Sequence, residues 1–125
     1  MRLVLDAGAL IGIDRHDRHV AGLIELGRRA GAELVTAAPA VGQAWRDGAR
    51  QANLARALPL MDVRPCDLGD ARAAGELLGA VAGSDVIDAL VALLALPGDQ
   101  ILTSDPTDVS VLIGARGVAA HVVRV

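Results

Sequence analysis

Short apolar runs that do not alternate polar with apolar residues, each followed by a helical stretch, constrain this chain more than any other feature. Residues 2–5, 33–36, 61–63, 100–103 and 118–125 read as strands. Strands covered on both faces lose the two-residue alternation, and the helical stretches between them supply crossovers. The expected fold is therefore α/β, a three-layer α/β/α sandwich around a central parallel sheet. At 125 residues the chain reads as one domain, 1–125.

The helical stretches carry recognisable ends. A short helix passes through Ala9, Leu10 and Ile11, and a second runs from Val20 to Ala30 with Gly31 at its C-terminal stop. Pro39 opens a helix with Val41, Ala44 and Trp45 on its apolar face, interrupted by Gly48 before another piece from Gln51 to Leu58. Asp67 caps a helix through Leu68, Ala71, Leu77 and Leu78. Gly83-Ser84 opens one carrying Val86, Ile87, Leu90, Val91 and Leu94, which Pro97-Gly98 stops, and Val109 to Ala115 forms the last.

Composition excludes several classes. Hydrophobic residues make up 53% of the chain, too many for a disordered protein, and Trp45 is the only aromatic. A core of Ala, Val and Leu must set helices close against the sheet. All 12 basic residues are Arg, so there is no P-loop lysine, no Schiff-base lysine and no receiver-domain lysine. A small-molecule α/β enzyme using a nucleotide cofactor is disfavoured by that absence and by the lack of a Gly-rich phosphate loop. The net charge of -3 does not advertise nucleic-acid binding, although Arg holds phosphates well. Ala89 to Pro97, the longest uncharged apolar stretch, is far short of the ~20 residues that span a bilayer, so no membrane association is expected. No secretory apolar segment is read at the N-terminus. A single Cys66 can form no internal disulfide, which fits a reducing cytoplasm. His16, His19 and His121 show no zinc-ligand spacing with Cys66.

The acids carry the chemistry. Asp6 follows the first strand, Asp88 lies in Ser84-Asp85-Val86-Ile87-Asp88, and Asp105 follows Thr103-Ser104. Loops at the carboxyl ends of parallel strands meet in one crevice, so these three are expected to converge. Carboxylates gathered there repel unless a cation lies among them, and hard oxygen ligands suit Mg²⁺ or Mn²⁺. Asp6 is equally well read as a helix N-cap. Asp85, beside Ser84, is read as a cap, and so is Asp108 for the helix at Val109. The hydroxyls of Thr103 and Ser104 could orient a carboxylate or a water from behind. A haloacid-dehalogenase type of hydrolase would need a second Asp where Gly8 stands.

In order, LVLDAGALI, the Pro39-led helix, DVIDALVALLA and ILTSDPTDV resemble a PIN domain of the VapC type, toxins of bacterial toxin–antitoxin modules. The resemblance covers nearly the whole chain. It implies an α/β/α sandwich, a ribonuclease centre using Mg²⁺ or Mn²⁺, a homodimer, and a small antitoxin partner. It also implies that Asp6, Asp88 and Asp105 are the metal-binding and catalytic acids, Thr103 the hydroxyl of the T-x-D motif, and Asp108 a further acid. One departure stands out: Gln43 occupies the place of a usual Glu. An amide brings no charge and cannot act as a base; Asp47, one turn along the same helix, could stand in for it. Arg46, Arg50 and Arg56 border this region and are candidates for RNA phosphate contacts. The alternative is a degenerate PIN fold that binds RNA or an antitoxin without efficient cleavage.

Overall fold

A computed structural model describes all residues, 1–125. The strands are β1 (Arg2–Leu5), β2 (Glu33–Ala37), β3 (Asp62–Arg64), β4 (Gln100–Thr103) and β5 (His121–Arg124). They form one sheet in the order β3-β2-β1-β4-β5, every pair parallel, with Val4 opposite Val35 on one side and Ile101 on the other. The helices are α1 (Ala7–Asp14), α2 (Arg18–Arg29), α3 (Ala38–Ala44), α4 (Ala52–Ala57), α5 (Leu68–Val81), α6 (Val86–Leu94) and α7 (Pro106–Arg116), with a 3₁₀ turn at Leu58–Leu60.

Chain direction decides the layers. From β1 to β3 the chain moves outward one way, then crosses back to β4 and continues to β5 the other way. Right-handed crossovers then put α1 to α4 on one face and α5 to α7 on the other. Leu3, Val4, Leu5, Ile101 and Leu102 are at most 1% exposed, so the two central strands are sealed on both sides. The small-residue core does bring helices close: a Cβ on Gly27 of α2 would lie 2.5 Å from Leu3 Cδ1. No single helix is long and apolar enough to cross a membrane.

Three of the boundaries that differ from the sequence reading have an identifiable local cause. The helix opened by Pro39 stops at Ala44, because Gln51 folds back over its end: Oε1 accepts from the Arg46 and Asp47 N–H groups, and Nε2 donates to Ala44 O. Asp47 is therefore not on that helix. It accepts from the Ala49 N–H and lies 3.7 Å from Arg50, and it cannot extend the Gln43 face as expected. The last helix begins at Pro106, not Val109, since proline suits the first helical position. The last strand is His121–Arg124 rather than 118–125, because Gly117 turns with φ +67 and the Val118 N–H is spent on Ile113 O.

One buried ion pair ties the sheet's amino edge to the end of α6. Asp99, 2% exposed, accepts from the Arg2 backbone N–H, from the Arg2 guanidinium at 2.7 Å, and from the Leu96 N–H. Arg2 also donates to Leu94 O, at the α6 C-terminus. Burial pushes the Asp99 carboxyl up, but the bonds from Arg2 and Leu96 outweigh it and hold the group below the usual carboxylate range. Removing Arg2 would strand a buried charge. Arg2→Leu is expected to cost about 3 kcal/mol at pH 7. A depressed carboxyl stabilises the fold above its unfolded pKa and loses that contribution as pH falls through its folded value. The gap between Arg2→Leu and wild type should therefore narrow below about pH 4. Urea unfolding of both at pH 7 and pH 3 checks this.

Candidate metal centre

Strand order reverses between β1 and β4, so the carboxyl ends of these neighbours border the crevice where ligands of open parallel sheets sit. Asp6 leaves β1 with its N–H still donating to Leu102 O of β4. Its carboxylate has two partners: Oδ1 accepts from the Ala9 N–H at 2.8 Å, capping α1, and Oδ2 accepts from the Ser104 N–H at 3.1 Å. Thr103, fully buried, closes β4 and accepts the Asp105 N–H on its hydroxyl at 2.8 Å. Asp105 precedes Pro106 and makes no side-chain cap, so its half-buried carboxylate is left free of the helix it opens.

From the other face, α6 delivers Asp88. Asp85 caps that helix by accepting the Asp88 N–H at 3.0 Å, as expected of it. Asp88 is 8% exposed, and Ala89, Val91 and Ala92 behind it are fully buried. Asp108 corrects the sequence reading. It is not the cap of the last helix but sits in its first turn, because Pro106 starts that helix earlier. Pro106 was the sequence signal that could have found this: proline at the first helical position moves Asp108 one turn inward.

Carboxylate oxygens of Asp88, Asp105 and Asp108 all lie within 4.8 Å of one another. Asp6 falls outside that trio, although its charge reaches Asp88. Carboxylates that close repel unless a proton or a cation lies among them. Asp88 Oδ2 is buried without a hydrogen-bond partner. No arginine offsets the cluster, because the ion pairs of this chain are Arg2–Asp99, Arg28 and Arg29 with Glu25, Arg50–Asp47 and Arg64–Asp62. Burial first, then the charge of Asp85, then Asp105 and Asp6, push Asp88 up to about 7. The hydrogen bond and charge of Asp105 likewise raise Asp108.

The remaining expected residues are scattered. Gln43 is exposed near the end of α3. Arg46 spends its guanidinium on Gly42 O and Trp45 O, closing α3, while Arg50 is exposed beside Asp47. Ser104 is exposed and meets the site through its backbone N–H. A cleft of about 330 Å³ opens beside Asp85, Asp88 and Asp108, walled by Leu78, Val81, Val111 and Leu112. A larger groove of about 1000 Å³ lies between α2, α4 and the start of β2, and none of the acid trio borders it. Size alone does not locate the chemistry.

All the donor atoms are carboxylate oxygens, a set suited to a hard divalent cation. The unpartnered Asp88 Oδ2 fits such an ion, since either a cation or a proton must compensate it. In chelator-treated protein the proton must serve. A carboxyl raised in the folded state binds more protons than in the unfolded chain between about pH 4 and pH 7, so stability falls as pH rises through that window. The loss should be about 4 kcal/mol, roughly three pKa units at ~1.4 kcal/mol each. Asp88→Asn should flatten it. Thermal melts in EDTA from pH 4 to pH 8 measure both.

No protein-family model matches the chain, and no curated protein matches it. Among solved structures, a chain from "Crystal structure of VapBC2 from Rickettsia felis bound to a DNA fragment from their promoter" is similar at TM-score 0.65 and 10% identity. The match covers 100% of this chain and 99% of that one. At this identity the likeness is one of fold, and it extends over the whole length: the two chains share one α/β architecture.

Proposed function

We propose that this chain is a metal-dependent endoribonuclease, a toxin of a VapBC-type module. The observation that carries the reading is a trio of carboxylates in which Asp88 keeps a buried oxygen without a hydrogen-bond partner and to which no arginine is paired. Asp88, Asp105 and Asp108 would hold Mg²⁺ or Mn²⁺, with Asp6 as a fourth acid whose charge reaches Asp88. The ion would supply charge compensation for an RNA phosphate and a more acidic water for attack on it. Asp6 holds the Ser104 turn against α1, and Thr103 fixes the Asp105 backbone. Asp85 anchors the first turn of α6 and adds negative charge beside Asp88. Arg50, exposed and 3.7 Å from Asp47, could turn to RNA phosphates by giving up that pair, and Arg46 can do so only by leaving α3. Exposed, unpaired Cys66 suits a reducing cytoplasm.

The decisive measurement is Mn²⁺ calorimetry together with cleavage of a labelled single-stranded RNA, with and without EDTA. Outer-shell changes at metal sites already cost about 10–100-fold, so Asp88→Asn or Asp105→Asn should weaken Mn²⁺ binding at least that much and abolish cleavage. A wild-type chain that binds no Mn²⁺ would sink the nuclease reading. A second reading, a PIN fold that grips RNA or a partner without cutting, is favoured by Gln43, which leaves α3 without a carboxylate at that position. Mn²⁺ binding without cleavage, with cleavage gained in Gln43→Glu, would select it.

Assembly is part of the same reading. Leu26, Leu60, Leu68, Val86, Leu96 and Val111 are large apolar side chains left exposed. A homodimer, and in the module a small antitoxin, would cover such surface. The purified chain should sediment at twice the monomer mass at tens of micromolar. A monomer there would count against self-association.

A further inference from the structure

Gly8 is the second residue of α1, between Ala7 and Ala9. Alanine is the better helix former by about 1 kcal/mol. Gly8 does not have positive φ, so glycine is not there for backbone freedom. The reason is space. A Cβ at position 8 would collide with Ser104 Oγ, lie 2.5 Å from Ser104 Cβ and come within 3.3 Å of Asp6 Oδ1. Rotation about χ1 can move the hydroxyl, but Ser104 Cβ is fixed to the backbone. A methyl group at position 8 must push the turn or the helix apart by about 1 Å, a displacement at which site geometry already fails.

That turn is no ordinary loop. The Ser104 N–H is held by Asp6 Oδ2, whose other oxygen caps α1, and the next residue is Asp105. Thr103 Oγ1 takes the Asp105 N–H, so a shift at Ser104 passes directly to Asp105. We infer that Gly8, Asp6 and Ser104 are positioning residues: close approach of α1 to the 103–105 turn sets where the Asp105 carboxylate stands relative to Asp88 and Asp108. The consequence for ion binding rests on the reading of those three acids as an ion site; the contact itself does not.

A double-mutant cycle separates these. Wild type, Gly8→Ala, Ser104→Gly and the double variant are compared by Mn²⁺ calorimetry and by NMR hydrogen exchange of the residue 104 amide in metal-free protein. Gly8→Ala should weaken Mn²⁺ binding at least about tenfold, as changes to groups that orient metal ligands do, and speed that amide's exchange by a similar factor. Ser104→Gly removes the colliding atoms but keeps the N–H, so the double variant should recover both quantities to near the Ser104→Gly level. A purely helical role for Gly8 predicts no such recovery. Unchanged exchange and affinity in Gly8→Ala, or losses that Ser104→Gly leaves in place, overturn the inference. If wild type binds no Mn²⁺, the ion-site reading fails and exchange alone decides the contact. Should Gly8→Ala not fold, Asp6→Asn keeps the shape but places an amide N–H₂ or a lone acceptor where two acceptors are needed. Faster exchange at residue 104 then supports the clamp, and unchanged exchange overturns it.

Discussion

Repulsion among Asp88, Asp105 and Asp108 is opposed by no arginine of this chain, so the surrounding fold must hold these acids together. Each is carried on an element with little freedom. Asp88 stands on a helix whose inner face is sealed under the sheet, and Asp105 follows a strand with three successive buried residues. Asp6 joins these parts: one carboxylate caps α1 and grips the turn after β4, linking β1 to its neighbour beyond the last ladder bond. The amino edge of the sheet is secured separately through Arg2 and Asp99. Repulsive groups are thus concentrated at one end of the sheet and a satisfied ion pair at the other.

Much of this was legible in the sequence because burial of the central strands leaves a mark on residue type. Leu3-Val4-Leu5 and Ile101-Leu102 could only be interior strands, and the caps at Asp67 and Asp85 follow from short-range bonds between neighbours. What escaped depends on contacts across the chain or on one proline. The end of α3 is set by Gln51, whose amide satisfies Ala44, Arg46 and Asp47 together, and no local propensity foretells it. The start of α7 turns on Pro106, and with it the place of Asp108 changes from a cap to a member of the acid trio. The full-length likeness to a VapBC2 chain at 10% identity fits this division. Architecture survives in the pattern of buried runs even where residue identities do not.

Spacing alone could not say which aspartates do chemistry, because aspartate serves two physically different purposes in this chain. Asp6, Asp17, Asp67, Asp85 and Asp99 all accept backbone N–H groups, and a carboxylate so supplied has its charge dispersed. Asp88 is the contrary case, with a buried oxygen that receives no donor. The two kinds look alike in sequence: Asp85 and Asp88 are three residues apart on one helix, yet one donates order to the backbone and the other is left wanting a positive partner. Accounting for each buried carboxylate's donors separates them where motif and position do not.

That accounting also bears on why a chain without lysine, with a net charge of -3, tolerates such a cluster. Several of its arginines are committed elsewhere: Arg2 to Asp99, Arg116 to the carbonyls ending α6, Arg46 to those ending α3, and Arg28 and Arg29 to Glu25. Two of these uses terminate helices, and none of the named partners is among the acids at the carboxyl edge between β1 and β4. Compensation for Asp88 must then come as a proton or as a cation from outside the chain. A proton suffices only while the pH stays below the raised Asp88 pKa of about 7, and it quenches the very charge that would bind an ion. The two states compete at one oxygen, so occupancy by a divalent cation should rise with pH across neutrality.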